Sequence, residues 1–291
     1  MNLPNKINLT IHPIGMTCAI LVLVSIIGLT LINRNLANRM TVRLIAAIAL
    51  ADLLTHVGEF YSASNITLPN GTPLCTAVSV FRSFSRTFYC FTNLAICFHL
   101  YRTLVLMKKT TWKVEVYTWI VTAVMVVVFT LIYYALGVFS GKARKSACNP
   151  GADSKTMNTI YFLFVGILDL ITIAVGIFTT VMGHRNLNKT AKKMASRSFL
   201  YPLSTCITLI FEALLLILNA FGIMILEISI PKTITVGLSG FLTLLAFTID
   251  PATHIAFKSA FYQVKNGNTN TKDIGNQYGF NSNDIQLNDA K

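Results

Sequence analysis

Charge is what this sequence has least of. Charged residues make up 12% of the 291 positions, about half the roughly 25% of a soluble domain. Acidic residues are the scarcest, 11 against 24 Lys and Arg. No CxxC occurs, and the five histidines (His12, His56, His99, His184, His254) form neither HxxxH nor HExxH. The metal-ligand and zinc-hydrolase spacings are therefore missing, and no enzyme is expected. No basic region or small-residue cleavage site frames the first apolar run, which reads as an uncleaved anchor rather than a cleaved signal.

Hydrophobic residues are abundant, at 54%. A helix crossing a bilayer needs about 20 predominantly apolar residues. Seven runs of that kind follow one another: Ile14 to Ile32, Leu44 to Ala63, Thr76 to Leu106, Tyr117 to Phe139, Thr159 to Met182, Phe199 to Leu226 and Thr233 to Phe257. The links between them are too short for a second folded domain. The expected fold class is an all-α integral membrane protein, a bundle of seven transmembrane helices over residues 14–257 after an outer N-terminal segment, 1–13. Residues 258–265 are expected to form a short amphipathic interfacial helix, because Phe257, Phe261 and Val264 share a face while Lys258 and Lys265 do not. The Asn-, Gly- and Asp-rich stretch 266–291 reads as a disordered cytoplasmic tail.

The net charge of +13 does not point to nucleic acid, because the cations follow the alternation of the links. Arg34, Arg39 and Arg43, then Lys108, Lys109 and Lys113 beside Arg102, then Arg185, Lys189, Lys192, Lys193 and Arg197 all fall on one face, with Lys258 and Lys265. That face is assigned to the cytoplasm by the positive-inside rule, although Lys142, Arg144, Lys145 and Lys155 lie opposite. The N-terminus is then outside, the C-terminus inside, and the location the plasma membrane. Three N-glycosylation patterns, at Asn8, Asn65 and Asn70, fall on the outer face, and one at Asn188 falls inside.

Cys75 and Cys148 are the two cysteines outside the apolar runs, both on the oxidising side. A disulfide between them is expected, the alternative being two free thiols. Cys18, Cys90, Cys97 and Cys206 sit inside runs as small apolar residues.

Ionisable groups at membrane depth cost about 3 kcal/mol or more, so those retained usually face the interior. They are Asp52, Asp169, Glu212 and Asp250, with Arg82 and Arg86 in the outer part of the third run. Arg82 and Arg86 are four apart on one helix face, continued inward by Tyr89, Asn93, Cys97 and Tyr101. Either they offer donors to a small anion, with Tyr89, Asp169 and Glu212 as further ligand-site candidates, or they pair with Glu59, Asp169 and Glu212 or snorkel to the interface. Asp52 and Asp250, with Asn93, make a core polar site: two close carboxylates need a cation such as Na⁺, a shared proton, or a hydrogen-bond network without an ion. Pro251 frees a backbone carbonyl one turn earlier and makes a plausible hinge.

Seven spans with the N-terminus outside, an outer cysteine pair joining the third span to the link after the fourth, and an amphipathic segment after the seventh resemble a G-protein-coupled receptor. Leu50-Ala-Asp52-Leu53-Leu54 is similar to the aspartate segment of the second span in rhodopsin-like receptors, and Asp250-Pro251-Ala-Thr-His254 to their N/DPxxY motif with His in place of Tyr. Arg102, in Leu100-Tyr-Arg102, lies where that family has its D/ERY arginine, and Trp119 where the fourth span has a tryptophan. Tyr101 stands in place of the acidic neighbour, the sixth span has no CWxP, and the first lacks an internal Asn. Gly240 to Pro251 is closer to the seventh span of fungal and amoebal receptors, including the cyclic-AMP-receptor-like groups. The resemblance implies an extracellular ligand and a heterotrimeric G protein as partners, with the lipid bilayer. It also implies a sodium pocket at Asp52 and Asp250, a G-protein switch involving Arg102, Pro251 and His254, and an interfacial eighth helix.

Lys232 and Lys258 lie only at the edges of the seventh run, so no lysine is placed for retinal. No Pro-Gln dipeptide or three-span repeat suggests a sugar carrier. A small-solute or ion transporter using Asp52, Asp169, Glu212 and Asp250 is the alternative function.

Overall fold

A computed structural model describes residues 3–33, 40–65, 68–69, 71–108, 110–140, 148–186, 199–223 and 225–266. Asn70, Asn188, the loop cations Arg34, Arg39, Lys109, Lys142, Arg144, Lys145, Lys189, Lys192, Lys193 and Arg197, and the tail 267–291 lie outside the described residues. Within them the protein is helical, with no strand.

The elements are α1 (Leu3–Ile32), α2 (Met40–Ser64), α3 (Pro73–Leu100) continued by a π-helical turn (Tyr101–Val105), α4 (Trp112–Ala135), α5 (Lys155–Asn186), α6 (Leu200–Ala220), α7 (Leu226–Gly237), α8 (Ser239–Ile249) and α9 (Pro251–Asn266). A short 3₁₀ turn, Val138–Ser140, follows α4. Five helices, α1, α2, α4, α5 and α6, are long and apolar enough to cross a membrane, and α7 with α8 makes a sixth if the pair, bent by 40°, counts as one span. The 28-residue α3 is long enough but too polar to count by composition. It packs among α2, α4, α5 and α6. Its polar residues turn inward, with Ser79, Ser83, Thr87 and Asn93 all buried.

The surface has the opposite character. Leu21, Val24, Ile27 and Leu31 on α1 and Ile120, Val124, Val127 and Leu131 on α4 are exposed, an outer face suited to lipid rather than water. Inside, Leu44, Ile45 and Ile48 of α2 pack with Val22, Ile96 and Leu209. Phe129, Tyr133, Tyr161 and Phe164 make an aromatic joint between α4 and α5. The protein is a helical membrane protein.

Several boundaries differ from the apolar pattern, each for a local reason. α1 begins at Leu3 rather than near Ile14, so residues 3–13 are helix. Those polar turns are held by α2: Asn5 donates to the Ala63 carbonyl and His12 bonds His56. α4 and α6 stop early, at Ala135 and Ala220. Gly137 and Gly222, at φ 71° and 79°, take the left-handed conformation that closes a helix C-terminus. The seventh run is interrupted twice, at Leu238 and at Asp250. Asp250 is extended, as a residue before proline prefers to be, and α9 starts at Pro251, so the final helix begins earlier than residue 258. Asp250 caps it, accepting from the Thr253 backbone N–H and hydroxyl at 3.2 Å each. Here Asp-Pro works as a helix start, not as a kink inside a continuous helix.

The start of α1 and the last helix lie at opposite ends of the bundle. Asn5 is beside the end of α2, whereas Leu29, near the other end of α1, packs on Ala256 and Ala260 of α9.

Candidate functional site

One end of the bundle is organised by a disulfide. Cys75, in the first turn of α3, is bonded to Cys148, with 5.6 Å between their Cα atoms. Thr72 caps α3 by accepting from the Cys75 N–H, and Pro73 takes the first helical position. The bridge brings Cys148 and Asn149 over the helix ends. Ser62 of α2 donates to the Cys148 carbonyl, and Arg82 donates to Asn149 Oδ1 at 2.8 Å. Closing a loop of 73 residues removes much unfolded-state freedom, about 2–5 kcal/mol for a native disulfide. Cys75→Ser, Cys148→Ser and the double substitution should therefore lose nearly the same stability in thermal unfolding. A double variant markedly worse than either single one would mean that the bridge is not the source of the effect.

Below this roof lies a cavity of about 420 Å³ between α2, α3, α5, α6 and α7, within the usual size range of small-molecule sites. Its charged walls are Arg82, Arg86, Lys155 and Lys232 against Glu59 and Glu212. Arg82 holds Glu59 through Nε at 3.2 Å and Nη2 at 2.6 Å, and donates from Nη1 to Ser62. Arg86 reaches two helices: Nη2 pairs with Asp169 of α5, and Nη1 with Glu212 of α6 at 2.7 Å. The same Glu212 oxygen lies 3.4 Å from Lys232 Nζ on α7. One arginine thus ties α3, α5 and α6 together, and Glu212 extends the tie to α7. Both arginines make the ion pairs that were weighed against a ligand role. Arg86 Nε, Thr55 Oγ1, Ser83 Oγ and Asn219 Oδ1 are buried with no hydrogen-bond partner among the described residues, and all four belong to side chains lining the cavity.

Tyr89, one turn below Arg86, is buried and is not part of the cavity wall. Asn93 accepts from Thr205 of α6. Asp52 is fully buried and accepts from Thr243 of α8 at 2.6 Å. Asp250 lies seven residues beyond Thr243, about 10 Å along a helix axis, and accepts from Thr253 of α9.

Beside Asp52 is a feature that composition did not single out. His12 and His56, both buried, meet through their Nδ1 atoms at 2.9 Å. The Gly240 N–H can only donate, so His56 Nε2 accepts it at 3.3 Å. This tautomer assignment makes His56 Nδ1 the donor to His12 Nδ1, and leaves His12 Nε2 to donate to Asn8 at 3.2 Å. Asn8 is thus engaged within α1, and Asn65, just past α2, donates to the Tyr61 carbonyl.

At the other end of α3, Arg102 sits in the π-helical turn, where the Leu106 N–H reaches back five residues to the Tyr101 carbonyl. Such turns concentrate at functional sites. The Arg102 Nε is buried with no hydrogen-bond partner among the described residues. Next to it, His99 bonds Thr41 of α2 and Thr110, and Arg43 pairs with Glu115 of α4 at 2.5 Å. His254 is exposed on α9.

The sequence reading missed Lys155 and Lys232 as walls of the site, together with Asn149 and Asn219. No family model and no curated protein matches this chain.

Proposed function

We propose that the protein is a G-protein-coupled receptor of the plasma membrane, binding a small extracellular ligand in the charged cavity and signalling at the other end of the bundle. The observation that carries this reading is the separation of two built ends. One has a disulfide-pinned roof over a cavity lined by paired charges. The other, about 40 Å along α3 from Cys75, has Arg102 in a π turn that leads into a basic stretch of sequence. Counting α3 with the five apolar helices and the α7–α8 pair gives seven passages, which agrees with the start of α1 and α9 lying at opposite ends of the bundle. The cysteine bridge and the Asn8 and Asn65 sequons then lie on the outside and α9 on the inside. Ligand binding changes the balance between two bundle arrangements by its differential affinity. Arg86, which holds three helices at the cavity floor, is where such a difference would be read.

The transporter alternative needs carboxylates exchanging partners along a path. Here Asp169 and Glu212 share Arg86, Glu59 holds Arg82, and Asp52 holds Thr243. These attachments favour a scaffold over a relay.

The test is capture of heterotrimeric G proteins from a panel by the solubilised chain without nucleotide. Capture by the native chain, weakened several-fold in Arg102→Ala at equal surface expression, is the expected result. Equal capture by both would place the switch elsewhere. No capture, together with solute flux in proteoliposomes, would overturn the receptor reading.

A further inference from the structure

The arginines that first suggest an anion site have little left to give. Arg82 is engaged by Glu59, Ser62 and Asn149, and both terminal nitrogens of Arg86 by carboxylates. The remaining cations of the wall are in a different state. Lys232 meets one oxygen of Glu212 at 3.4 Å. Lys155, exposed to solvent at the start of α5, also lines the cavity and has no partner among the described residues.

The charges of the wall decide the sign of the ligand. Arg82, Arg86, Lys155 and Lys232 stand against Glu59 and Glu212, with Asp169 behind Arg86. Among the described residues of the wall one positive charge is left over, and it is at Lys155. Lys155 faces solvent and its charge is partly screened there, and a ligand with a single negative charge seated beside it in the cavity restores neutrality. A dianion would overshoot, and a cation would add to the excess. Much of the remaining wall is apolar or aromatic, including Phe162, Leu215, Leu216 and Val236. The volume exceeds the roughly 150 Å³ that accepts a benzene ring.

From this we infer that the cavity takes a monovalent carboxylate with a small apolar body, and that Lys155, not Arg82 or Arg86, is the anchor of the carboxylate, with Lys232 adding to the local positive field. The inference rests on the receptor reading in taking this cavity as the ligand's seat. Its readout is binding and requires no G protein.

The experiment follows thermal stability of the full chain in nanodiscs at constant ionic strength. The probes are benzoate, hexanoate, benzamide, benzylammonium and phenyl phosphate. Ligands that bind the folded state alone raise the unfolding temperature with concentration. Benzoate and hexanoate should stabilise, and the neutral, cationic and dianionic probes should not. Lys155→Gln should weaken carboxylate binding about tenfold or more, as expected for loss of a charged hydrogen bond. Lys155→Arg should keep it, and Lys155→Glu should shift preference to benzylammonium. Equal stabilisation by benzoate and benzamide, a preference for phenyl phosphate, no carboxylate effect, or unchanged binding in Lys155→Gln each overturns the inference. Carboxylate binding without G-protein capture would count against the receptor reading alone. Capture without carboxylate preference would count against this inference alone.

Discussion

Arg86→Leu should leave little of the chain as a folded, monodisperse species, a loss of about 3–5 kcal/mol. That is the usual cost of deleting one member of a buried ion pair, because the partner stays buried with its charge. Asp169 is the weak point: it is wholly inaccessible, and among the described residues its other oxygen has the Cys90 thiol alone. Glu212 would keep Lys232. The asymmetry makes the test specific. Adding Asp169→Asn to Arg86→Leu removes the orphaned charge and should recover most of the loss, whereas adding Glu212→Gln should recover less. Asp169→Asn alone should be milder, since Arg86 keeps Glu212. Thermal unfolding and size-exclusion recovery of these variants measure all four. A fully stable Arg86→Leu, or no rescue by Asp169→Asn, would show that the α3–α5 ion pair does not hold the bundle.

That prediction marks how far the sequence could be read. Arg82 and Arg86 share a helix face because they are four apart, and Glu59, Asp169 and Glu212 were the acids within reach of such a face. Which acid meets which arginine depends on the rotation and depth of each helix, and apolar runs do not encode either. Cys75 and Cys148 were legible because nothing else competed for them outside the runs. Lys155 and Lys232 were not, since both stood at the edges of runs and only the assembled bundle turns them toward one cavity. Asp250-Pro251 shows another kind of limit. In an apolar run a proline reads as a kink, but Asp250 supplies a cap, and the cheaper solution is to end one helix and begin the next. α1 is longer than its apolar run because Asn5, Asn8 and His12 find partners within the bundle. Hydropathy does not register that kind of stabilisation.

The same crossing of α1, α2 and α8 carries the second large effect. Gly240→Ala should cost about 2–4 kcal/mol, while Gly28→Ala should be neutral or slightly stabilising. A Cβ on Gly240 would lie 2.3 Å from the Gly15 carbonyl oxygen and 3.1 Å from His56 Nε2. The first contact is with backbone, which cannot rotate aside, so α8 must move away from α1. Overpacking of that kind costs about 1–3 kcal/mol. The moved helix also strains the Gly240 N–H bond to His56 that fixes the histidine tautomers. An interhelical hydrogen bond within a membrane is worth only about 0.6 kcal/mol on average, so the steric term dominates. Two comparisons separate the terms. His12→Ala removes a bond and adds no clash, so it should cost less than Gly240→Ala. Gly28 has nothing within 4 Å of an added Cβ, and Ala there gains the helix propensity that Gly lacks, about 0.5–1 kcal/mol. Unfolding midpoints of the three variants in one detergent decide the matter. If His12→Ala were the worse lesion, the histidine chain rather than the close approach of the helices would hold the crossing.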